Sequence, residues 1–331
     1  MEEQTPAAQK GASPFATIRR APPMGRWEPM LRRYLTVSLA LFEVSVAMAQ
    51  GQTDLTGIVA PGAEVRKLAG SFQFTEGPAW DGKGNLYFSD IPANTIYRMD
   101  TKGDFAVFMH PSENSNGLAF DAKGNLIACR HQARDVVRIS QSGWIEVLAD
   151  SYQGKKLNSP NDCVVAKDGA IYFTDPRYGL GNRPQEQDAE GVYRIAPSGE
   201  LARVVSDMTR PNGLAISPDG KTLYVADSAD MKVRAYPLKP DGSAGEGRDF
   251  ADMKGPGRGV PDGMTLDEDG NVYCTGAGGI WVFTPAGEHL GTIAVPEVPA
   301  NCAFGGPEGR TVFITAQTSV YALAMAHRGL R

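Results

Sequence analysis

The chain has 331 residues, 42% of them hydrophobic and 21% charged, with a formal net charge of -5. That balance excludes the basic surface a nucleic-acid partner requires, and it is not acidic enough for a disordered tail. With 38 Gly and 23 Pro the chain is rich in turn formers, which points to many short strands, and its length suits one all-β domain as well as two ordinary ones.

Residues 1–29 precede a methionine and match neither a domain nor a signal, so Met30 reads as the true start. The stretch MLRRYLTVSLALFEVSVAMAQ, at 30–50, carries two arginines, an apolar run and then Ala47-Met48-Ala49, the layout of a secretory signal with an A-x-A cleavage site. The run from Tyr34 to Ala49 is short for a membrane anchor and contains Glu43. Residues 1–52 are therefore expected to be an export signal with a disordered extension. The mature protein would be periplasmic or secreted, without stable membrane insertion, or cytoplasmic if the signal does not function.

From there a motif recurs. EGPAWDGKGNLYFSD, NGLAFDAKGNLIACR, NDCVVAKDGAIYFTD, NGLAISPDGKTLYVAD, DGMTLDEDGNVYCTG and NCAFGGPEGRTVFITA begin at Glu76, Asn116, Asn161, Asn212, Asp262 and Asn301. Each copy is a short apolar strand, a tight turn such as PDG or KGN, and a second strand, which makes a hairpin. Most copies are followed by two more strand-like runs, such as TIYRM and FAVFM in the first. Four strands per repeat describe a propeller blade, and a period of this size means a repeat architecture. The sixth copy ends one strand short, while AEVRKLAG at 63–70 stands ahead of the first copy without a partner. It is expected to complete the last blade and close the ring, removing exposed edges. The fold predicted is thus a single all-β, six-bladed β-propeller over residues 60–326. Cys129, Cys163, Cys274 and Cys302 each fall inside an apolar strand and read as buried free thiols, with no CxxC spacing for zinc.

The residue before each first strand is an acid or an amide in all six copies, and in a propeller these six positions ring the channel mouth. Asn and Asp before Gly also supply turns of positive φ, which is the plainer explanation of any one Asn-Gly pair. Glu76 is a poor turn former yet occupies the same column. Two carboxylates and several amide oxygens suit a hard divalent cation; calcium fits best, with zinc, magnesium and manganese as alternatives, and no histidine stands in the ring.

TEGPAW, SNGLAFDAKGNLIACRH, LNSPNDCVV, YFTDPRYGL, RPNGLAISPDG and VPDGMTLDEDGN together resemble the gluconolactonase and regucalcin (senescence marker protein) family of six-bladed propellers, over about Glu64 to Leu323. The resemblance implies hydrolysis of a small-molecule lactone and a metal held by Glu76, Asn161, Asn212 and Asp262. Because some members use an Asn at only two of these blades, it leaves Asn161 as ligand or substrate contact. The chain departs from regucalcin-like members at Ser159, where they carry arginine. Asn301 is assigned no ligand role.

Asp262 is the expected general base, with the neighbouring Asp162 as second candidate and a substrate hydrogen bond as its main task. Asn116, His131 and Tyr178 are expected to contact substrate. His131 could also move a proton near neutral pH, or be only a solvated loop histidine. Asp90, Arg130, Asp175 and Asp227 end second strands on the same face, where an Asp also serves as a turn cap. The polar insertion PRYGLGNRPQEQDAE after Asp175 is expected to cover the cleft with Arg177 and Tyr178 pointing inward. No GxSxG elbow supports a serine esterase. Two other functions remain open: a calcium-dependent phosphotriesterase or aryl esterase on the same scaffold, and a non-enzymatic calcium-binding propeller. The protein is expected to be a monomer or a weak homo-oligomer.

Overall fold

The structure, a computed structural model, describes residues 55–100 and 102–330. The export segment expected within 30–49 lies outside them. Six four-stranded antiparallel sheets follow one another along the chain as blades, with one extra two-stranded hairpin, Ser151–Tyr152 with Lys155–Lys156. The inner strands are Thr75–Trp80, Ser115–Phe120, Cys163–Val165, Pro211–Ile216, Met264–Leu266 and Pro299–Gly305. The orphan run closes the ring as expected: Arg66–Gly70 pairs antiparallel with Ser319–Ala324 and becomes the outer strand of blade six.

Burial grades outward from the axis. The second strands Leu86–Asp90, Leu126–Arg130, Ile171–Asp175 and Val272–Gly276 are buried at every position, whereas the outer strand Phe105–Met109 begins with three exposed residues. A second strand has a neighbouring blade against each face, so both of its faces are apolar and simple alternation is lost. The core is correspondingly divided into layers between blades. Phe88 and Leu86 of blade one pack on Phe313 and Val320 of blade six, and Tyr224 and Phe250 of blade four pack on Met264 and Phe283 of blade five. All four cysteines are buried and unpaired within these layers.

Asp90, Asp175 and Asp227 prove to be struts of the fold. Each strand-end carboxylate accepts two backbone N–H groups from the loop that delivers its own blade's inner strand: Gln73 and Phe74 for Asp90 at 2.9 and 3.1 Å, Asn158 and Ser159 for Asp175 at 2.7 Å each, Thr209 and Arg210 for Asp227 at 2.9 and 3.1 Å. In blade two Arg130 holds the equivalent place, with both Nε and Nη2 bound to Asp135 at 2.7 and 2.6 Å.

The Asn-Gly pairs are not turns. Neither Asn212 nor Gly213 has a positive φ, and both lie inside the strand Pro211–Ile216. The register slips there, from Pro211 opposite Asp227 to Leu214 opposite Val225, and blades one and two slip at the same place. Such a bulge re-aims side chains without ending the strand. The glycine is needed for a different reason: a Cβ on Gly213 would overlap the carbonyl oxygen of Asp262 and come within 2.6 Å of Gly263 Cα. Inner strands of adjacent blades touch backbone to backbone at this level. Gly213→Ala should therefore lower stability by about 3 kcal/mol, the upper end for overpacking, as measured by denaturant unfolding, although alanine is compatible with the local φ.

Candidate active site

Five of the six ring residues are buried: Glu76, Asn116, Asn161, Asn212 and Asn301 lie at 3 to 5% exposure, and Asp262 is half-buried beside them. The structure gathers Glu76, Asp162, Asn212, Asp262 and Asn301 into one electrostatic cluster. Burial raises the Glu76 carboxyl from an ordinary 4.5 to about 8, with the Asp162 charge adding to the rise, against the opposing bonds from Gly77 N–H and the Asn301 amide. Burial likewise pushes Asp262 well above its ordinary value, and the charges of Glu76 and Asp162 push it further, while the Asn212 amide favours its ionised form. None of the groups acting on either carboxylate is a cation. Buried carboxylates are normally paired, so this pair has a missing positive partner.

The amides differ in how their ends are used. Asn212 Nδ2 donates to Ser228 Oγ at 3.0 Å. Asn301 donates through Nδ2 to Asp162 Oδ2 at 3.1 Å, and its Oδ1 accepts from Cys302 N–H at 2.8 Å. Asn161 is tied by its backbone, with N–H to the Thr174 carbonyl and its own carbonyl accepting from Gly117, each at 2.8 Å. The Asn116 Oδ1 is buried with no hydrogen-bond partner, an oxygen of the kind that a water, an ion or a ligand completes. Among the described residues no three His, Cys, Asp or Glu side chains are grouped to hold an ion. What the ring offers is a carboxylate pair supplemented by amide oxygens, a hard, all-oxygen set that fits calcium in type.

Against known proteins, residues 74–318 match the family model described as SMP-30/Gluconolactonase/LRE-like region. The chain belongs to this family. A gluconolactonase of Zymomonas mobilis is 36% identical over 296 residues, covering 80% of this chain and 82% of the relative. The diisopropyl-fluorophosphatase of Loligo vulgaris is 27% identical over 267 residues, covering 72% and 84% respectively. Among solved structures, a gluconolactonase of Xanthomonas campestris superposes with a TM-score of 0.76 at 33% identity, covering 82% of this chain and 92% of that one.

In this gluconolactonase-family chain the insertion after Asp175 folds over blades two and three. Its short 3-10 turn, Tyr178–Leu180, rests directly on His131, and Gly179 donates to Ser159 Oγ at 2.9 Å. Arg183 fastens the loop, donating to the carbonyls of Gln132, His131 and Gly179 at 2.6, 2.8 and 2.5 Å. Tyr178 comes beside Ser228, Asn212 and Asp262 and is stacked under the Arg210 guanidinium at 5.2 Å. Arg177 instead turns to Glu190, at 2.8 Å, and remains 54% exposed. Glu190 also pairs with Arg210 at 3.2 Å.

His131 is not solvated. It is 7% exposed, and burial together with the nearby Arg183 charge lowers its pKa to about 4. It is neutral at neutral pH, and its Nε2 lies 3.4 Å from Asn116 Nδ2. That makes it a hydrogen-bond partner of the ring instead of a proton carrier near pH 7. Asp162 acts by its charge on both Glu76 and Asp262. It lines a cavity of about 480 Å³ that runs down the channel to the opposite turns, with Oδ1 accepting from Cys163 N–H at 2.9 Å and Oδ2 bound by Asn301. Ser228, Arg183, Glu190 and Arg210 were not singled out from sequence; they lie in loops outside the repeated column, and only the fold brings them to the mouth.

The raised carboxyls set a sign for pH. In the metal-free protein Glu76 stays protonated up to about 8 when folded but ionises near 4.5 when unfolded. Between those values the folded state binds more protons, so metal-free stability should fall as pH rises. Calcium should release protons on binding and bind more tightly as pH rises, by up to about tenfold per pH unit for each proton displaced. Unfolding curves with chelator and with calcium across this window, and calorimetry in two buffers of different ionisation enthalpy, measure both effects.

Proposed function

We propose that this chain is a lactonase that hydrolyses sugar or related lactones with a divalent cation, calcium, held at the propeller mouth by Glu76, Asn161, Asn212 and Asp262. The observation that carries the reading is the poorly solvated, mutually repelling pair Glu76 and Asp262 with no positive partner. The Zymomonas mobilis gluconolactonase at 36% identity supports the substrate class. A cation bound there would stabilise the negative charge that grows on the lactone carbonyl oxygen as water adds.

The protein's own groups supply the rest. Asp262 accepts the proton of the attacking water; its place at the mouth qualifies it, because a bound cation would lower the basicity that burial and Glu76 give it in the metal-free protein. Asp162, with both oxygens engaged and lining the lower cavity, is the weaker candidate. Asn116 presents its unpartnered oxygen to a substrate hydroxyl, and His131 keeps the nitrogen end of that amide occupied. Tyr178, brought over the mouth by the anchored loop, limits the substrate's size and orientation.

Acid release from a panel of lactones should disappear on chelation and return with calcium, and Asp262→Asn should lower turnover at least about 100-fold. Chelated protein that keeps its full rate would refute the metal role. A phosphotriester run beside the panel separates lactonase from esterase on the same scaffold. Releasing the loop by Arg183→Ala should raise KM several-fold and flatten the preference among lactones while calcium affinity stays the same; an unchanged preference would remove the loop from substrate selection.

A further inference from the structure

An asparagine amide has an oxygen end and a nitrogen end of nearly equal size, and only the oxygen can face a cation. At Asn212 the amide also bonds the Asp262 carboxylate and the Tyr178 hydroxyl, and the Ser228 hydroxyl fixes which end faces blade four. The Ser228 hydroxyl donates to the Pro261 carbonyl oxygen at 2.6 Å. A carbonyl has no proton to return, and a serine hydroxyl has only one to give. With that proton committed, Ser228 Oγ can only accept, so the end of the Asn212 amide facing it must be the nitrogen, as found at 3.0 Å. The oxygen end is turned away from Ser228 by elimination.

Asn301 shows the opposite outcome in the same ring. There Cys302 N–H occupies the amide oxygen and Asp162 takes the nitrogen, so the oxygen is consumed by the backbone. Ser228 is buried at 7% exposure, so water does not compete freely for these bonds. Pro261 directly precedes Asp262, so a single hydroxyl also ties the amide of blade four to the segment that delivers the carboxylate of blade five.

We infer that Ser228 is a positioning residue that fixes Asn212 as an oxygen donor to the cation, through the directional chain Asn212 Nδ2–H to Ser228 Oγ–H to Pro261 carbonyl. This rests on the metal reading above. It adds a residue that touches neither metal nor substrate, and a rule for which ring amides can be ligands.

The test is calcium titration by calorimetry, without any assay of turnover, on the parent, Ser228→Ala, Ser228→Cys, Asn212→Asp and the Asn212→Asp/Ser228→Ala double variant. Ser228→Ala should weaken calcium binding about tenfold or more, in the range for residues that orient metal ligands. Ser228→Cys, which keeps the shape but only a weak donor, should also weaken it, and stands in if the alanine variant does not fold in chelator. In the Asn212→Asp background the effect should vanish or reverse. A carboxylate offers oxygen at either end, and the Ser228 oxygen, its proton already given to Pro261, would then face another acceptor. A Ser228→Ala variant binding like the parent, or the same loss in both backgrounds, overturns the role. If the parent itself binds no calcium, the metal reading fails and takes this inference with it; normal parent binding with unaffected Ser228 variants defeats this inference alone.

Discussion

Two carboxylates in one poorly solvated site, with no cation beside them, form the constraint around which this molecule is arranged. Glu76 and Asp262 come from blades one and five, far apart in sequence; at the channel mouth Glu76 is buried and Asp262 half-buried. Left alone they hold on to protons, because ionising both would place like charges in a poorly solvated space. A hard divalent cation, as proposed above, would relieve the same strain differently, by neutralising the pair and accepting the amide oxygens around it. On that proposal the site would choose between protons and metal.

Holding that pair in register requires the rest of the propeller. Each inner strand is delivered by a loop, and in three blades a strand-end aspartate pins that loop by two backbone N–H groups. The inner strands then press so close that the position after Asn212 has no room for a Cβ. Closure by Arg66–Gly70 on the last blade leaves no open edge from which the ring could relax. Precision at the mouth thus follows from close packing at the axis and from a closed circle.

Above this ring sits the loop after Asp175, fastened by Arg183, whose guanidinium collects backbone carbonyls from two segments. It shields His131 and brings Tyr178 to the mouth while leaving Arg177 outside with Glu190. The proposed substrate selection and metal binding would consequently rest on different parts, a loop fastened by polar bonds and a ring fixed by packing.

Six blades, their four strands and the closing strand were legible in the chain because the hairpin motif recurs and alternation, turn chemistry and strand count all agree. The column of acids and amides was legible for the same reason, since a repeat aligns positions that the fold will bring together. What the sequence could not reveal is direction. The same Asn-Gly spelling that reads as a turn is a bulged strand, and Asn212 and Asn301 look alike until Ser228 and the Cys302 N–H orient their amides oppositely. Nor could it show that His131 is sealed under Gly179 or that Asp162 lines the lower channel. A repeat specifies which residues reach the axis through local periodicity; which atom each one presents there depends on hydrogen-bond partners from other blades, and only the closed tertiary structure supplies those.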